Sequence, residues 1–165
     1  MTMTETERAL PPATPASPAV DRRPRSVAGA LMRGGHCRCP ACGTGALFER
    51  YLKVAPFCGH CGEALYHQRA DDAPPYMVIL VVGHIVVPLL VLVEEVFRPP
   101  VWGHLALWLP LTVVLSLVLL PPVKAMLVNL QWALRMHGFD PASPEREAPP
   151  PGTPSPASVS RTAMP

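Results

Sequence analysis

The sequence predicts a mainly α membrane protein: a two-helix transmembrane hairpin with a small β module before it and an amphipathic helix lying along the interface after it. Three observations carry this expectation. Two apolar runs, 76–93 and 101–120, are separated by a break that holds Glu94, Glu95, Arg98, Pro99 and Pro100. All five cysteines fall just ahead of the first run. A segment patterned as an amphipathic helix, 121–139, follows the second.

At about 1.5 Å per helical residue the two runs reach roughly 27 and 30 Å, close to the ~30 Å hydrocarbon thickness of a bilayer. Backbone polar groups find no water in lipid, so each run is expected to be helical, and the short break 94–100 makes the helices antiparallel. The residues 1–15 contain no apolar core of the kind a cleaved signal needs, so the first span is expected to direct insertion itself. Of the 14 Lys and Arg residues, nine precede the hairpin, one lies in its loop and four follow it. The positive-inside tendency then puts both ends in the cytoplasm, where thiols stay reduced and available to metals.

The ends of the chain are rich in Pro, Ala, Ser and Thr, with too few large apolar groups to offset the entropy of ordering. Residues 1–35 read as a disordered leader carrying the basic cluster Arg22, Arg23 and Arg25, and 140–165 as a disordered tail. A net charge of +2 is too small for the concentrated basic face of a nucleic-acid binder, so no nucleic-acid partner is expected. Membrane lipid is the expected surroundings.

Between leader and hairpin, 36–70 reads as a zinc-ribbon-like domain. Cys39-Pro40-Ala41-Cys42-Gly43 and Cys58-Gly59-His60-Cys61-Gly62 are two knuckles with 15 residues between them, which fits the C-x2-C spacing of four-cysteine zinc sites. Two residues between thiolates let one tight turn aim both sulfurs at one ion, and a following glycine can take the positive φ that closes the turn. Four sulfurs complete a tetrahedral shell, so a structural Zn2+ held by Cys39, Cys42, Cys58 and Cys61 is expected, with no open position for catalysis. Leu47, Phe48, Tyr51, Leu52, Val54 and Phe57 favour short strands between the knuckles. A redox dithiol would need a βαβ context that neither pair has. Cys37 is left over as a free thiol of unknown role, and His36, His60 and His67 are expected at the surface.

The linker 71–75 contains Asp71, Asp72, Pro74 and Pro75, and the paired prolines are expected to stop the first span from extending backwards. Within the spans two histidines are functional candidates. His84 is polar in an apolar helix and lies within about 3 Å of the depth of Thr112, which allows a bond between helices; the alternative is a haem, metal or proton ligand. His104 lies near the outer end, where with Glu94 and Glu95 it could form a weak metal site. Pro88 and Pro110 each leave a carbonyl without its donor, and Trp102 and Trp108 suit the lipid interface. Pro121 and Pro122 are expected to end the second span. In the segment after them Lys124, Gln131 and Arg135 form a polar stripe opposite Met126, Leu127, Leu130 and Leu134, and Gly138 supplies a stop.

With both knuckles, the run from Asp71 to Pro75, Gly83-His84-Ile85-Val86-Val87-Pro88, Pro121-Pro122-Val123-Lys124 and the stretch 131–139 in view, the chain resembles a bacterial membrane family known as domain of unknown function 983. The resemblance extends over about 36–139. It implies a bacterial inner-membrane location and, by association with the cytochrome c oxidase of respiration, a part in building or regulating that complex; it implies no activity. Together these readings lead to a non-enzymatic protein whose cytoplasmic zinc ribbon is an interaction module for a membrane complex. Two other readings stand beside it: metal or haem handling by the cysteines and His84 or His104, and membrane-anchored nucleic-acid regulation. No nucleophile–base set, phosphate loop or paired carboxylates point to an enzyme.

Overall fold

The structure, a computed structural model, describes residues 24–70, 72–143 and 151–152. Arg22, Arg23, Asp71 and most of the expected leader and tail lie outside the described residues. The elements run α1 (Val27–Gly35), β1 (Phe48–Arg50), β2 (Lys53–Val54), α2 (Ala73–Phe97), α3 (Val101–Ala133) and a short 3-10 turn, His137–Phe139. The fold is thus mainly helical, with a small antiparallel β pair close to the cysteines.

Part of the expected leader is a helix. A nine-residue helix is marginal alone, but here the Ser26 side chain accepts the Gly29 N–H at 3.2 Å and caps the first turn. Packing does the rest, with Ala30 and Gly34 buried against α3. A Cβ at Gly34 would come within 2.7 Å of the Met126 Cα and 2.9 Å of the Ala125 carbonyl. The two backbones meet so closely that only glycine fits.

Helix α2 starts at Ala73 and takes Pro74 into its first turn, so the prolines do not hold the helix off. The first N–H groups of a helix have no partner within it, and proline there loses nothing. The helix also takes in Glu94 and Glu95, which shortens the expected loop 94–100 to Arg98, Pro99 and Pro100. Arg98 precedes Pro99, which disfavours right-handed helical geometry, and takes φ 42° while its N–H bonds Glu94 O at 3.1 Å.

The end of the second span also differs from the expectation. Helix α3 continues through Pro121 and Pro122 for 33 residues, about 50 Å, well beyond a bilayer's thickness. A separate helix 121–139 does not exist; its residues up to Ala133 are the far end of α3. Each interior proline costs ~3 kcal/mol or more. Burial of the following turns against α1 and the cysteine module offsets that cost. The buried stripe there is Ala125, Val128, Asn129 and Ala133, not the expected Met126, Leu127, Leu130 and Leu134, of which Leu134 remains 52% exposed. Small side chains win this face because they let backbones approach.

The near parts of α2 and α3 pair through Val78, Val82 and Val86, one row at i, i+4 and i+8, against Trp108, Leu115 and Leu119. Only 17% of the most apolar window of each helix is buried, where the core helix of a soluble protein would be mostly covered. Both helices are long and apolar enough to cross a membrane.

Candidate metal centre

Each knuckle closes by the same local pattern. Gly43 N–H bonds Cys39 O and Cys39 N–H bonds Gly45 O, both at 2.9 Å; Gly62 N–H bonds Cys58 O and Cys58 N–H bonds Glu63 O, again at 2.9 Å. Gly43 and Gly62 have φ of 75° and 73°, as the turn chemistry demands. Bridges between Arg38 and Ala46 and between Phe57 and Ala64 close the two loops, and β1 pairs antiparallel with β2, Phe48 opposite Val54 and Arg50 opposite Lys53.

These turns bring four sulfurs to one point. The Sγ atoms of Cys39, Cys42, Cys58 and Cys61 all lie within 4.8 Å of one another, with Cys39–Cys61 and Cys42–Cys58 both at 3.8 Å. A tetrahedral ion with metal–sulfur bonds of about 2.3 Å needs sulfurs about 3.8 Å apart, whereas a disulfide needs about 2.05 Å. The donor set fits a divalent soft metal.

The surroundings set the charge on each thiol. Burial pushes Cys39 strongly up, reinforced by Cys58, and pushes Cys61 up to about 11, helped by Cys58 and Cys42. Burial also acts to raise Cys42, but hydrogen bonds from the Thr44 hydroxyl, the Gly45 and Thr44 N–H groups and Cys61 outweigh it and bring the thiol down to about 5. Thr44 Oγ1 and Gly45 N lie 3.3 and 3.4 Å from that sulfur. The Cys42 thiolate is therefore ready at neutral pH, and ion uptake must expel protons from Cys39 and Cys61.

Gly45 is part of this shell. A Cβ there would strike Cys58 Sγ and come within 3.3 Å of His60 Cβ. Gly45→Ala is expected to weaken metal binding by the four sulfurs by about 10- to 100-fold, the range for lost outer-shell support, as measured by competition with a chromophoric chelator; unchanged affinity would count against the cluster geometry.

The module is fastened to the far end of α3. Its core of Cys39, Leu47, Cys58, Leu65 and Ala70 continues into Ala125 and Val128. Asn129, fully buried, donates through Nδ2 to Ala30 O at 2.9 Å and Arg38 O at 3.1 Å, joining α1 and the first knuckle to α3. Gln131 takes the Arg69 N–H and donates to the Arg69 carbonyl, and Trp132 Nε1 donates to Glu63 at 2.8 Å. Arg33 of α1 ties down the Pro40 and Ala41 carbonyls, and the Arg25 guanidinium lies 4.1 Å above the Trp132 ring. The amide of Asn129 was the one sequence signal for this fastening, a polar residue on a stripe of small apolar ones.

The remaining candidates are placed as follows. Cys37 is outside the four-sulfur group, with φ 55° and its thiol raised by burial. His36 and His60 are exposed, but His67 is buried, 7% exposed, edge-on to Phe139 and pressed against Gly138; the 3-10 turn after α3 folds back over it. His84 faces outward and its Nδ1–H donates to Leu80 O of the same helix at 2.8 Å, so its bond does not cross to Thr112. His104 Nε2 pairs with Glu94 at 2.8 Å, and Trp108 Nε1 donates to its Nδ1 at 3.0 Å. Both ring nitrogens are thereby engaged in clasping the loop end of the hairpin, and Glu95 is outside the clasp.

A model of the family described as "Protein of unknown function (DUF983)" matches residues 48–132, just over half of the chain. The chain belongs to the DUF983 family. The match takes in the second knuckle, β1, β2, α2 and α3 to Trp132, while Cys39 and Cys42 of this DUF983 chain lie ahead of it. No curated protein and no solved structure matches the chain.

Proposed function

We propose that this DUF983 protein is a non-enzymatic membrane protein whose structural zinc module acts as an interaction surface, held beside a membrane-embedded partner by the α2–α3 hairpin. The observation that carries the reading is the four-sulfur cluster with tetrahedral spacing, built on the end of a helix whose other end is long and apolar enough to cross a membrane. A closed four-cysteine shell offers no position for a water or substrate, so the ion's work is to hold shape. The charge distribution supports a cytoplasmic module, with Arg98 alone among basic residues in the turn at the opposite end. As partner we propose a membrane protein complex; a respiratory oxidase is the candidate that comes from the family resemblance, and no residue of the site speaks for it in particular.

A second reading, metal handling, draws on the exposure of Cys61, since an accessible sulfur can pass a soft ion to another thiol. Purification of the full chain from native membranes separates the two. Stoichiometric zinc, about one per chain as a four-sulfur site requires, together with a co-eluting membrane complex that is lost on Cys58→Ser, supports the interaction module. Bound copper or a Soret band in place of zinc overturns it in favour of handling.

A further inference from the structure

Pro121 and Pro122 carry no N–H, so the carbonyls of Leu117 and Val118, four residues earlier in α3, lose their usual donors. In an apolar stretch a freed carbonyl is costly unless another group donates to it. Leu117 O has such a group. The Tyr51 hydroxyl donates to it at 2.8 Å, from a residue 66 positions away.

Tyr51 sits in the turn between β1 and β2, in the stretch that joins the two knuckles. Leu52 beside it holds φ at 61°, which folds the turn tightly. Tyr51 is 58% exposed, so it is not placed there by burial. The hydrogen bond ties it to α3.

From this geometry we infer that Tyr51 is a latch, through which metal occupancy of the cysteine cluster controls the stiffness of α3 at its diproline. The inference rests on the metal reading above and adds a regulated element to it. A module of this size needs its ion to keep the β1–β2 hairpin in place. With the ion, Tyr51 supplies the bond that Pro121 omits, and the apolar part of α3 and the part that carries the module form one rod. Without it the hairpin loosens, the Leu117 carbonyl loses its donor, and Pro121–Pro122 becomes a hinge between the two parts. A membrane partner contacting both parts would then distinguish the loaded from the empty protein.

Hydrogen exchange on the full chain in lipid nanodiscs tests this. In zinc-loaded Tyr51→Phe, with zinc content unchanged, amides in 118–125 are expected to exchange roughly 2- to 10-fold faster, the equivalent of one lost hydrogen bond. Zinc-stripped wild type should show at least the same rise there. Pro121→Ala restores a backbone donor to Leu117, and in that background Tyr51→Phe should change exchange in the segment by less than about 2-fold. Unchanged exchange in zinc-loaded Tyr51→Phe, or an equal rise in both backgrounds, overturns the latch. Failure of the metal reading shows separately, as a purified chain without zinc.

Discussion

Serine at Cys58 is expected to reduce bound zinc from about one ion per chain to none and to unfold the cysteine module, while α2 and α3 keep most of their helix. Structural zinc contributes on the order of 10 kcal/mol to a small domain, more than a typical domain's entire stability margin. Cys58 is buried at the centre of the cluster and of the module core, so no neighbouring donor replaces its sulfur. The α2–α3 contact uses a different set, Val78, Val82, Val86 and Trp108, and does not depend on the ion. Metal analysis reads the first effect. Trypsin reads the second, because Arg50 and Lys53 in the β1–β2 hairpin become cleavable. Stoichiometric zinc after paired substitutions of Cys39 and Cys58 would refute the assignment.

Replacing Asn129 with leucine is expected to detach α1 and the first knuckle from α3 at a cost of about 2–4 kcal/mol. The side chain is completely buried and makes two donated bonds, to Ala30 O and Arg38 O. Leucine removes both and strands the Arg38 carbonyl next to Cys39, and its larger side chain must be fitted where Asn129 is completely buried. Faster hydrogen exchange across Val27–Gly35 and new tryptic cleavage at Arg33 and Arg38 are the expected readouts, with zinc still bound. Protection of α1 equal to that of the wild type would show that Asn129 fills space and does not fasten.

The two substitutions break different links. Cys58→Ser removes the ion that shapes the module, and Asn129→Leu removes its fastening while the ion stays. The latch at Tyr51 is a further contact between module and helix, at the opposite end of the module's footprint on α3. Loss of partner binding in both variants would mean that the module must be both folded and fixed in orientation. Loss in Cys58→Ser alone would mean that a folded module suffices.

Sequence alone determined the four-cysteine cluster, because its geometry is local: two thiols in one turn, a glycine with positive φ closing each, and a loop length that lets two such turns face each other. It likewise determined two apolar helices joined by a short turn, since their length and composition follow from the residues in each. What only the tertiary structure decided depends on contacts between distant segments. Val27–Gly35 carries three glycines and reads as leader, yet it is helical because α3 covers it. Pro121 and Pro122 read as a stop, yet α3 passes through them because the turns beyond are packed and Tyr51 replaces a missing donor. His84 could have faced either way; it turns outward because the valine row occupies the inner face and Leu80 supplies its acceptor. Local preference sets what each segment can form, and burial against a partner settles which of those forms is kept.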